Sequence, residues 1–323
     1  MAGSRIKACS RSRPCACATL VAAALLSFTP PAPAQSGHIS DIATYRGADR
    51  EQRLIEGAKR EAVLTLYSNA PTEDNAALLG AFTKKYGIKV NLWRASSEEI
   101  RQRALAEAKA QRHEVDFILN NGPALEALRR ERLLRAVSSP HLTDLMTGTA
   151  PSHREWAGFC VNVLVQAYNT SLVKKEELPR SFKLFRDIVA INGFSVRKGH
   201  TLLANLVAAG EIPLALTVFN YTAEQLRRKG APVDWFTLAP LVAMPNGISV
   251  VNAAPHPHAA VLFLDFMLSD AQNILAERGY VATSTRVASP FDRGSLKMVD
   301  SAKLLADGDK WRRLYSDVIT SRK

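Results

Sequence analysis

Three polar tips follow apolar runs in the first half of the chain: Ser68-Asn69, Arg94-Ala95-Ser96-Ser97 and Asn120-Asn121-Gly122. Amide, hydroxyl and guanidinium groups donate hydrogen bonds, and gathered on one edge they suit a strongly polar or anionic guest. A second set, Arg197-Lys198-Gly199-His200-Thr201 and Asn220-Tyr221, repeats this chemistry and adds a phenol able to stack on or bond to a guest. Taken singly, each residue serves as a cap or turn as readily as a ligand donor. Taken together they predict a binding site of Ser68, Asn69, Arg94, Ser96, Asn121, Arg197, His200, Asn220 and Tyr221.

Reaction chemistry finds little support. There is no G-x-S-x-G elbow, no S-x-x-K set with partners and no H-E-x-x-H pair. Cys160 sits in an apolar run, which fits inert packing better than a thiolate nucleophile. His256-Pro257-His258 opens a helical stretch, and no third ligand at suitable spacing accompanies it. The expectation is a protein that is not an enzyme, with no catalytic residues, cofactor or resident metal.

The elements that must position these groups alternate. Leu54, Ile55 and Ala58 recur at helical spacing between Asp49 and Glu61, and Val63 to Tyr67 then reads as a strand. Thr72 caps a helix with the stripe Leu78, Phe82 and Tyr86, closed by Gly87, and Ile88 to Trp93 is the next strand. Ser96 with Glu99 forms a capping box before a helix carrying Ile100, Ala104 and Ala108, and Val115 to Leu119 is a third strand. This order predicts a parallel sheet with helices on both faces and a ligand beyond the strands' carboxyl ends, where helix starts add free N–H groups.

Trp156 to Tyr168 is a long extended run able to cross to a second sheet. Beyond it, Phe194-Ser195-Val196 is expected as a strand, Leu202 to Ala209 as a helix closed by Gly210, and Ile212 to Phe219 as a buried strand. Phe236 to Val251 is expected to return, extended but broken by Pro240 and Pro245. Helices are expected over His258 to Leu268 and Gln272 to Arg278, the latter ended by Gly279, and a last one over Leu296 to Ala306. Two crossings between two sheets make a hinged ligand trap.

The start of the chain carries an address. Arg5, Lys7, Arg11 and Arg13 precede an apolar run from Ala16 to Phe28 and the cleavage pattern Ala32-Pro33-Ala34, so 1–34 is expected to be a cleavable signal peptide and the mature product periplasmic. Its four cations leave 38 of the 42 Lys and Arg against 30 Asp and Glu, a mature charge of +8. No block of like charges or basic stripe with aromatics favours nucleic acid. Of the four cysteines only Cys160 survives cleavage, which excludes an internal disulfide. The remaining length suits two lobes.

Several segments together resemble the family 1 extracellular solute-binding proteins, in the branch that includes ferric-ion-binding proteins of ABC importers. They are 64–68, 85–90, Gln166-Ala167-Tyr168-Asn169-Thr170, Ala209 to Ala215, Ala254 to Ala260 and Phe266 to Ser269. The resemblance implies an α/β, type II-like two-lobed clamshell. It closes as a monomer on a small-molecule or ion ligand and docks on an ABC permease in the inner membrane. Lobe 1 is expected at 35–155 plus 245–295, lobe 2 at 156–244, and a helical segment at 296–323. Two departures stand out. Ferric-binding relatives carry adjacent tyrosines where this chain has Asn220-Tyr221, so a ferric ion would find only Tyr221; small organic or phosphonate-type anions suit the other donors better. Relatives also carry several tens of residues between Arg180-Ser181 and Phe182-Lys183 that are missing here, which shortens lobe 2. A secreted hydrolase and a ligand sensor of the same fold are the alternatives.

Overall fold

The structure is a computed structural model that describes residues 39–197 and 199–317. The expected signal peptide and Lys198 lie outside the described residues. After α1 (Ile39–Thr44) and α2 (Arg50–Glu61) the chain runs through β1 (Val63–Ser68), α3 (Thr72–Tyr86), β2 (Lys89–Arg94), α4 (Ser97–Lys109), β3 (Phe117–Asn121) and α5 (Gly122–Arg130). Thr72 does not cap α3 as expected; it is the first helical residue, behind Pro71, and no side chain caps the start, whereas other local signals act as their chemistry requires. Gly87 takes the left-handed conformation at φ 74° that ends α3, and Ser96 and Glu99 cap α4 reciprocally. β1 lies between β2 and β3, parallel to both. Its side chains alternate: Leu64 and Leu66 enter one core with α2 and α3, whereas Tyr67 enters another with α4 and α5.

After β4 (Leu134–Arg135), the long strand β5 (Ala157–Asn169) leads through α6 (Phe182–Asn192), α7 (His200–Ala208), β6 (Leu214–Phe219), α8 (Asn220–Arg228) and β7 (Val233–Phe236) to β8 (Leu241–Val251). β8 pairs antiparallel with β3 and with the first half of β5, up to Val163. The second half of β5, from Leu164, pairs with β6 and β7. One strand therefore belongs to two sheet regions, and the smaller has its own core, in which Val163, Val165 and Ala167 meet Val207, Val218, Ala223 and Val233.

The chain finishes with α9 (Pro257–Leu268), α10 (Ala271–Glu277), β9 (Val281–Ala282), β10 (Leu296–Met298), α11 (Ser301–Ala306) and α12 (Gly308–Tyr315). α9 is apolar nearly all round because it is buried nearly all round. Phe263 makes edge contacts with Phe82 at 4.9 Å and Phe117 at 5.0 Å between ring centroids. Burying one such ring contributes about 1.5–3 kcal/mol. Among the described residues no single helix is long and apolar enough to cross a membrane.

Four further expectations are corrected. Phe194-Ser195-Val196 forms no strand; it is exposed chain with no partner strand beside it. Pro245 does not break the returning segment but sits within β8, opposite Val161. The break falls earlier, between β7 and β8. Leu296 starts a strand, not a helix, because it pairs with Leu241 of β8. Asn120 and Asn121 lie inside β3 and not in a loop, paired with Gly247 and Asn246.

A buried carboxylate ties the large sheet to α9. Asp116, fully buried, accepts the backbone N–H groups of Thr65 and His256, each at 2.7 Å, and lies 2.9 Å from His256 Nδ1. Burial pushes its carboxyl above the usual range despite these partners. Asp116→Ala leaves three half-buried groups without their acceptor and should cost about 2–3 kcal/mol. The urea midpoint should fall while the denaturant slope stays unchanged; an unaltered midpoint would remove Asp116 from this role.

Candidate functional site

A cavity of about 220 Å³ opens where the two sheet regions meet, lined by Asn69, Arg94, Ser96, Ser97, His200, Thr201, Phe219 and Tyr221. Its floor comes from the crossing strands, with Asn162 on β5 and Asn246 on β8. Asn69 Nδ2 donates to Ser97 Oγ at 2.9 Å, while its Oδ1 is buried with no hydrogen-bond partner. Arg94 Nε donates to the Ala70 carbonyl at 3.1 Å, which steadies the side chain beside the cavity. On the facing side, α7 begins with no side-chain cap at Gly199, so the N–H groups of its first turn stay open to a guest. His200 packs against Phe219 with ring centroids 4.1 Å apart and planes tilted by 35°, and burial pushes its imidazole below the usual value.

Asp74 of α3, 1% exposed, forms the acidic corner. It pairs with Arg278, accepts the Tyr280 hydroxyl at 2.5 Å and accepts Gln225 Nε2 at 3.2 Å. Tyr280 stacks on Tyr221 at 4.0 Å between centroids, with ring planes 16° apart. Burial pushes the Tyr221 phenol up to about 12 and the Tyr280 phenol well above the usual value. The floor is therefore electrically quiet: its carboxylate is matched by a guanidinium and its phenols keep their protons. Arg94 and the uncapped start of α7 border the cavity with a full and a partial positive charge.

Five of the expected site residues meet at the cavity: Asn69, Arg94, Ser96, His200 and Tyr221. The other four do not line it. Ser68 is fully buried and spends its hydroxyl on Asn75 and the Ala70 N–H. Asn121 caps α5 by accepting the Ala124 N–H. Asn220 ties Val163 N–H to the Gly279 carbonyl. Arg197 is exposed and bonds its own neighbours, Ser195 and Val196. Sequence reasoning missed Asp74, Asn162, Asn246 and Tyr280. Asn162 did carry a signal, since a polar side chain between Val161 and Val163 in a buried strand needs a purpose.

A larger cavity of about 890 Å³ is lined by Arg50, Lys85, Asp265 and Asp270 among others. Two pairs close within it, Arg50–Asp265 at 3.1 Å and Lys85–Asp270 at 2.7 Å, while Arg50 Nε and Nη1 are buried without a hydrogen-bond partner. At the smaller cavity Asn69 Oδ1 and Asn246 Oδ1 are buried without a hydrogen-bond partner, and the uncapped start of α7 borders the same space.

No family model matches the chain. In sequence it is similar to Iron uptake protein A1 of Synechocystis sp., 25% identical over 302 residues, covering 75% of this chain and 81% of that one. In structure it is similar to the periplasmic binding protein AfuA of Actinobacillus pleuropneumoniae with fructose-6-phosphate bound, at TM-score 0.67, 20% identity, 80% of this chain and 98% of the other. It is also similar to the substrate-binding protein of an ABC transporter from Agrobacterium tumefaciens, at TM-score 0.71, 16% identity, 80% of this chain and 95% of the other. The chain thus has the two-lobed fold of the periplasmic binding proteins.

Proposed function

We propose that this protein captures a small phosphate-bearing or carboxylate solute between its two lobes and delivers it to the membrane permease of an ABC importer. The observation that carries this reading is Arg94 and the uncapped start of α7 bordering one cavity from opposite lobes, over a floor whose acid is already neutralised. In this reading the protein works in the periplasm as a monomer without catalytic function, and its lobes are 35–155 with 245–295, and 156–244. The relatives support the fit, since one is named for iron uptake and another holds a sugar phosphate.

A ferric ion is the second reading, and one observation favours it: Tyr280 supplies beside Tyr221 the second phenol that the sequence motif lacks. Against it, both phenols are held protonated by burial, and Asp74 is already engaged by Arg278 and Tyr280. Among the described residues no group of three or more His, Cys, Asp or Glu could hold a metal.

Two outcomes separate these readings. In calorimetric titrations with orthophosphate, fructose-6-phosphate and citrate, the solute that binds should lose at least about tenfold in affinity with Arg94→Ala. Arg197→Ala should change nothing; equal effects of the two, or tight ferric binding with no anion binding, would overturn the proposal. Tyr221 tests the floor. Its folded-state value lies above its unfolded value of 10.0, so the stability it contributes is intact below pH 10 and is lost as pH rises toward about 12. Two units amount to about 2–3 kcal/mol. Ultraviolet titration should show late phenol ionisation coinciding with unfolding in the wild type, and Tyr221→Phe should lessen the loss of stability across that window.

A further inference from the structure

α12 leaves an unpartnered face. Trp311, Leu314 and Tyr315 are 44%, 47% and 48% exposed, and their i, i+3, i+4 spacing puts them on one side of the helix. Around them stand Lys310, Arg312 and Arg313. Asp309 is the acid of the helix, and it is already paired with Arg312. Lys310 Nζ sits 5.3 Å from the Trp311 ring centroid, so cation and aromatic share one surface.

Short apolar stripes flanked by cations, with Trp and Tyr bearing polar tips, match the boundary between water and lipid headgroups. A second copy of the chain fits poorly, since a two-fold contact through this face would set Lys310, Arg312 and Arg313 against their own counterparts. We propose that α12 docks on an anionic phospholipid surface. Its apolar face enters the headgroup boundary and its cations meet lipid phosphates, holding the protein on the membrane independently of which solute it carries.

Co-sedimentation of the full chain with vesicles of phosphatidylglycerol and phosphatidylcholine, against phosphatidylcholine alone, tests this. Partitioning should favour the anionic vesicles by about tenfold or more at low salt and collapse at high salt. Two variants should each fall to the level on neutral vesicles: Trp311→Ala with Leu314→Ala and Tyr315→Ala, and Lys310→Gln with Arg313→Gln. These side chains are exposed, so thermal midpoints equal to that of the wild type should confirm intact folding. Equal wild-type partitioning to both vesicles, or variants that bind like the wild type, would overturn the proposal. So would dimerisation in sedimentation velocity that the apolar variant abolishes, without lipid binding, which would assign the face to a second copy.

Discussion

Asp74 is the joint on which the site depends. It lies in the first turn of α3, where a carboxylate is favoured by the helix dipole, and it is almost wholly buried. Arg278 from the end of α10, Tyr280 from the following turn and Gln225 from α8 all converge on it. A buried charge is tolerated only when paired and hydrogen-bonded, and here that requirement draws three distant stretches of chain to one point. Gly279 makes the geometry feasible: at φ +85° it turns the chain between Arg278 and Tyr280, and its carbonyl accepts Asn220 Nδ2.

With the acid neutralised, the positive ends of the surrounding helices face the cavity without competition. Contacts already bridge the two halves: Gln225 Nε2 donates to buried Asp74 at 3.2 Å, and Glu73 and Lys229 approach to 2.8 Å but are 66% and 58% exposed, where an ion pair contributes little. In the proposed function, a guest touching Arg94 on one side and the start of α7 on the other would supply the differential affinity that domain closure requires.

Much of the frame was legible in the sequence because its signals are local. The Ser96–Glu99 capping box, the closing Gly87 and the alternating apolar strands act within a few residues of themselves. The site was only half legible for the same reason. Asn121, Ser68 and Asn220 have the chemistry of ligand donors, and each spends it on neighbouring backbone or side chains, a distinction that depends on three-dimensional partners. Asp74 and Tyr280 were missed because their meeting spans 206 residues of chain. The helix α6 buries only Phe185 and leaves Phe182, Leu184 and Ile191 exposed.

The central claim is that a small anion is held between Arg94 and the start of α7, above a protonated phenolic floor. Native mass spectrometry of the protein taken from its own host tests it most directly, because a tight binder keeps its guest. The proposed function predicts a single mass increment that denaturation releases as a phosphate-bearing or carboxylate compound. An increment of one ferric ion, held without any organic anion, would contradict it.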